Sequence, residues 1–257
     1  MAEPTHRLFG VNVILEALRG GTRTFSQICL QKGRRGPEMD EVVRLAQERR
    51  IPIEYAPREH LDRLSGHGRH QGVVGVVSAK GYVPLEEIVD RRSKQGGALF
   101  LMALDGVEDP HNLGAVIRTA EAAGADAVVI PERRAVGVTP VVAKSSAGAV
   151  EYLPVVKVVN LYHALEILKR AGAWVIGLTE KSGVPYDSID LLRPLVLVFG
   201  SEGSGLRART MEACDELVSL PMQGRVSSLN VSVAAGIMAY EVIRQRRKVP
   251  GGPAHGP

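Results

Sequence analysis

Cysteine is scarce: Cys29 and Cys214 are the only two in 257 residues. A pair so far apart in sequence offers neither a disulfide framework nor a zinc motif, and both read as small buried hydrophobes. Aromatic residues make up 4% of the chain, with a single Trp. That is too few for a platform that stacks the bases of a single strand. No apolar run approaches the roughly 18 residues of a spanning helix, so no membrane association is expected. The opening Met1-Ala-Glu-Pro-Thr-His-Arg7 has no apolar signal core, and a cytoplasmic protein is expected. A large charge excess is also missing: 32 Lys+Arg face 28 Asp+Glu, a net of +4. What is present, 45% hydrophobic and 23% charged residues, suits one large domain or two small ones with a real core.

The small excess is unevenly placed. Up to Lys80 there are 13 Lys+Arg against 9 Asp+Glu, and the remainder is balanced. Four of the seven His lie in the same stretch. A basic module ahead of a neutral body suggests a handle for a polyanion.

Residues 1–80 read as a small α/β unit. A helix at Val11–Leu18 stops at Gly20-Gly21, and Ser26–Leu30 reads as a strand. Pro37–Arg50 is an amphipathic helix with Met39, Val42, Val43 and Ala46 on one face. A short strand at Ile51–Tyr55, a helix at Arg58–Leu64 and an apolar strand at Gly72–Ser78 follow, with a glycine-rich basic loop before the last. Residues 81–97 read as a linker with a short helix after Pro84. Residues 98–248 alternate apolar strands with helices, the pattern of a mostly parallel sheet covered on both faces. Within them Pro140–Val150 is expected to be helical, and Leu229–Arg247 forms a long final helix. The tail 249–257 reads as disordered.

Ligands of such sheets bind beyond the carboxyl ends of strands, and three polar loops follow strands here. The first is Asp105–Gly114, leading into Arg118. Asn112 and Arg118 are six residues apart, about 240° around a helix, so helical geometry does not put them on one face. The second, Gly200-Ser-Glu-Gly203-Ser-Gly205, is G-x-x-G-x-G. It is neither the dinucleotide fingerprint nor a P-loop nor a nucleophile elbow, and it carries Glu202. The third runs from Leu220 to Asn230, where Ser228 or Asn230 can cap the long helix. His67 and His70 have no third ligand nearby, so no metal is expected.

Together the loops resemble the SpoU/TrmH family of the SPOUT superfamily of RNA methyltransferases. The matching stretches are Asn112-Leu-Gly-Ala-Val-Ile-Arg-Thr-Ala-Glu-Ala-Ala-Gly124, Leu197–Leu206 and Leu220–Ala234, with Lys144-Ser-Ser-Ala-Gly-Ala149 as a further family helix. The N-terminal part, with His70-Gln-Gly-Val-Val74, is similar to the L30e-like RNA-binding domain of bacterial enzymes that methylate a guanosine ribose in 23S ribosomal RNA. The resemblance implies methyl transfer from S-adenosylmethionine to a ribose 2′-hydroxyl, a C-terminal trefoil knot and a homodimer. It assigns Gly200, Leu220, Leu229, Thr179, Gly203 and Met222 to the cofactor, and Asn112, Arg118, Glu202, Ser228 and Asn230 to catalysis and substrate positioning. Arg118, always protonated, is expected to clamp phosphate and favour the developing alkoxide, with Glu202 aiming its guanidinium. Arg7, Arg34, Arg35, Arg69 and His70 are candidate RNA contacts from charge position alone. A tRNA ribose methyltransferase and a non-catalytic RNA-binding assembly protein are the rival readings.

Overall fold

A computed structural model describes residues 5–248; the expected disordered tail at 249–257 lies outside them. The elements run β1 (Thr5–Phe9), α1 (Val11–Gly20), β2 (Phe25–Gln31), α2 (Pro37–Glu48), β3 (Ile53–Ala56), α3 (Arg58–Leu64), β4 (Val73–Ser78), α4 (Leu85–Gln95), β5 (Phe100–Asp105) and α5 (Pro110–Ala122). They continue with β6 (Ala127–Pro131), α6 (Pro140–Ser145), β7 (Val155–Val158), α7 (Leu161–Arg170), β8 (Trp174–Leu178), β9 (Leu195–Gly200), α8 (Ala208–Ala213), β10 (Glu216–Val218) and α9 (Val231–Arg247). The chain forms two compact units. The first holds the described residues up to Gly81 and, in addition, Val138–Tyr152; the second holds Tyr82–Gly137 and the described residues from Leu153 onward.

The first unit is an α/β fold on a four-stranded sheet, order β1-β4-β2-β3, in which only β2 and β3 run parallel. On α2, Met39, Val42 and Ala46 are buried at helical spacing, so the amphipathic pattern reports the packed face. The segment inserted between β6 and β7 completes this unit. The helix expected through Val150 ends at Ser145, because Ala147 and Gly148 take positive φ (52° and 90°) and turn the chain into a 3-10 segment at Ala149–Glu151. A Cβ on Gly148 would lie 2.5 Å from that of Glu16, so only glycine admits this turn.

The turn delivers Glu151 to Arg23. Their side chains are both fully buried, with Nε to Oε1 at 2.9 Å. Thr22 Oγ1 donates to the same carboxylate at 2.9 Å, and Lys80 Nζ donates to the Glu151 carbonyl at 3.2 Å. Removing one partner strands a buried charge. Glu151→Ala is therefore expected to destabilise the first unit by about 3–5 kcal/mol, read as a lower urea midpoint with an unchanged slope.

The second unit is α/β with a six-stranded parallel sheet, order β10-β8-β9-β5-β6-β7. Central strands β5 and β9 are apolar, apart from the Asp105 that ends β5, and almost wholly buried, as helices on both faces require. Residues 81–97, expected as a linker, contain α4, whose Leu85 and Ile88 belong to this unit's core. Strand β9 returns between β8 and β5, which makes a switch point where loops diverge at the strand ends.

Candidate methyl-transfer site and RNA face

The switch point carries the site. Asp105 ends β5 and pairs with Gly200 at the end of β9. Beyond Gly200 the chain doubles back: Ser201 and Gly205 exchange backbone hydrogen bonds at 3.0 and 3.2 Å. Asp105, fully buried, then accepts the Arg207 backbone N–H at 2.9 Å. A buried carboxylate on a backbone N–H thus fixes where the glycine loop ends and α8 begins. Sequence reasoning included Asp105 in its first loop without assigning it a role; its sole signal was an acid closing an apolar strand.

A cavity of about 300 Å³ opens beside this loop, between the ends of β8 and β9 and the segment that leads into α9. Gly200, Gly203, Thr179, Leu220, Met222 and Leu229 all line it, as do Glu202 and Ser228. Sequence reasoning missed several other wall residues, among them Leu178, Lys181 and Met211. They lie in a strand end, a turn and a short helix, with no motif of their own. The volume is at the lower end of the small-molecule range of roughly 300–1,000 Å³.

Three of the expected catalytic residues form one network. Asn112 Nδ2 donates to Glu202 Oε1 at 2.9 Å, and Asn230 Nδ2 donates to Asn112 Oδ1 at 2.9 Å and to the same Glu202 oxygen. The Asn230 side-chain oxygen caps α9 by accepting the Ser232 N–H at 2.9 Å. One side chain thus caps a helix and holds a carboxylate, so the two readings of Asn230 coexist. Ser228 lies on the exposed cavity wall.

Arg118 is not part of this network. It is exposed, while Asn112 is buried on another face of α5, as the 240° offset requires. Glu202 holds the two asparagines rather than the guanidinium expected for it. Among the described residues Arg118 makes no hydrogen bond or ion pair, so its donors face outward.

In the first unit Arg7, Arg34, Arg35 and Arg69 are candidates for the RNA face, and all four are exposed, Arg7 on β1 and the others in loops. Two of their loops adjoin. The Gln31 N–H bonds the Gly72 carbonyl at 2.9 Å, and the Arg34 stem packs at Gly72. His70 corrects its expectation. It is buried, its Nδ1 accepts the Gly72 N–H at 3.0 Å, and its Nε2 meets Asp62 at 3.0 Å. Both ring nitrogens are engaged, so His70 shapes the loop and offers nothing to a phosphate. A charge count cannot see such burial. Lys144, from the inserted segment, donates to the Arg69 carbonyl at 3.0 Å and sits 4.3 Å over the Phe9 ring. Burial, and then the Arg69 charge, push its pKa below the usual lysine value.

Comparison with known proteins finds matches over most of the chain. The SpoU rRNA Methylase family model matches residues 99–240, and the model for RNA 2′-O ribose methyltransferase substrate binding matches residues 7–83. A 23S rRNA (guanosine-2′-O-)-methyltransferase, RlmB, of Pseudomonas putida is 43% identical over 94% of this chain and 97% of its own. A provisionally named TrmH family tRNA/rRNA methyltransferase of Bacillus subtilis, YacO, is 41% identical over 97% of this chain and 99% of its own. Among solved structures, the SpoU methyltransferase AviRb of Streptomyces viridochromogenes in complex with AdoMet superposes with a TM-score of 0.79 at 26% identity, covering 95% of this chain and 92% of that one. The chain belongs to the SpoU rRNA methylase family.

Proposed function

We propose that this protein transfers the methyl group of S-adenosylmethionine to a ribose 2′-hydroxyl of a guanosine in 23S ribosomal RNA. The observation that carries the reading is the cavity at the switch point with the Asn112–Glu202–Asn230 network beside it. All six residues assigned to the cofactor line that one space, and its glycine-rich wall lets a ligand meet backbone N–H and C=O directly. S-adenosylmethionine, once bound, supplies a methyl already activated by its sulfonium. The protein's own work is alignment and handling of the hydroxyl proton. Asn112 and Asn230 fix one oxygen of Glu202, and its other oxygen accepts no hydrogen bond from the described residues, which leaves it for a substrate hydroxyl. Arg118 contributes a bidentate phosphate contact that also favours the developing alkoxide.

Three further parts belong to this proposal. The trefoil knot is supported by the return of Leu220, Met222 and Leu229 to a cavity that the glycine loop already walls. Val233, Ile237 and Tyr240 are exposed in an i, i+4, i+7 stripe on α9, which suits a second copy of the chain. A cytoplasmic location fits an rRNA substrate, and no helix among the described residues is long and apolar enough to cross a membrane.

The exposed arginines of the first unit supply the phosphate attraction. Replacing Arg34 and Arg69 together with Gln is expected to reduce the log–log salt slope of RNA binding by about 1 for each phosphate no longer neutralised. Cofactor affinity should not change. An unaltered slope would remove these residues from the RNA face. The function itself is tested by mapping ribose methylation in a deletion strain. One missing 2′-O-methylguanosine in 23S RNA is expected, whereas a loss confined to tRNA would move the substrate and no loss would leave a binder.

A further inference from the structure

We infer that the first unit holds a transition-metal site of zinc type, formed by Cys29, Glu54 and His60. One ligand atom from each lies within 4.8 Å of the other two. Cys29 on β2 and Glu54 on β3 are direct partners across the parallel pair. α3 supplies His60, and its Leu61 packs in the cluster that holds Cys29, Ala56 and Val74. The three ligands therefore come from three elements at a spacing that no sequence motif encodes.

One of the three spacings already matches what an ion imposes. Cys29 Sγ stands 3.6 Å from Glu54 Oε2. A sulfur at about 2.3 Å and an oxygen at about 2.0 Å from a tetrahedral zinc are about 3.5 Å apart. Gln27 donates its amide N–H to the same Glu54 oxygen at 2.6 Å, as the outer partners of metal-binding carboxylates do. Cys29 is buried, His60 half-buried and Glu54 exposed. The sulfur is shielded, while an ion and a water as fourth ligand reach the site from the solvent side. Thiolate, imidazole and carboxylate select zinc or cobalt over magnesium or calcium, which want oxygen throughout. On binding, a sulfur–metal bond replaces the S–H bond and the proton leaves to solvent. The site lies in the first unit and takes no part in methyl transfer. An ion there ties α3 to the edge strand β3, directly before the loop that presents Arg69.

The test is titration of the metal-free, full-length protein with Co²⁺. A thiolate-to-cobalt charge-transfer band should saturate at one equivalent, with one proton released, and Zn²⁺ should erase it. Cys29→Ser should abolish the band. His60→Ala, at a half-exposed position that leaves the fold intact by circular dichroism, should weaken affinity by more than the roughly 10–100-fold that outer-shell changes cost. Cys214→Ser should change nothing. Absence of the band at one equivalent, full affinity in His60→Ala, or a band that survives Cys29→Ser would each overturn the site.

Discussion

Arg118→Lys is expected to lose methyl transfer by about 10²–10³-fold, the usual cost of one preorganised donor at a developing oxyanion. S-adenosylmethionine should still bind at wild-type affinity. Both halves follow from position. Arg118 is exposed on α5, makes no internal bond among the described residues, and is absent from the cavity wall. Its removal therefore leaves the cofactor's surroundings and the Asn112–Glu202–Asn230 network intact. Lysine keeps the charge and loses the planar fork that grips two phosphate oxygens at once. Single-turnover transfer and isothermal titration separate the two effects. Wild-type turnover in Arg118→Lys, or a full single-turnover rate in Arg118→Ala, would remove the clamp from the mechanism.

Gly200→Ala should act in the opposite way, through the cofactor. A Cβ at Gly200 would stand 2.0 Å from the Gly205 carbonyl carbon and 2.3 Å from the Leu206 nitrogen. Both are backbone atoms, so no side chain can swing aside. The loop closed by the Ser201–Gly205 pair must open, and the wall it forms moves with it. Overpacking of this kind costs about 1–3 kcal/mol or more where the surroundings are rigid. The expected result is loss of S-adenosylmethionine binding, and hence of turnover, with far-UV circular dichroism preserved. Wild-type cofactor affinity in this variant would show that the loop does not form the cradle.

The cavity wall was legible because its glycines and its two flanking loops are contiguous stretches of unusual composition. The separation of Asn112 from Arg118 was legible too, since it needs only the helical repeat. The partnership of Glu202 with Asn112 and Asn230 was not, because those bonds span 90 and 28 residues and depend on sheet order. Strand β1 and helix α8 went unread. The first is a five-residue strand with a single fully buried side chain, and the second is a six-residue polar turn behind the glycine loop. The division of the chain at residue 80 accounted for the charge. It missed the inserted segment because Lys144 and Glu151 cancel there and leave the first unit's excess unchanged.

That insertion governs the order in which the protein is made. Arg23 and its carboxylate partner are 128 residues apart. At about 5–20 residues per second, the ribosome takes on the order of 10 s to deliver Glu151 after Arg23 has emerged. During that interval the first unit has a guanidinium with no counterion and a sheet without its closing turn. A fragment cut at Gly81 would be held permanently at this stage. The N-terminal module is thus finished only after synthesis of the catalytic body is well under way, which couples maturation of the RNA handle to that of the enzyme it serves.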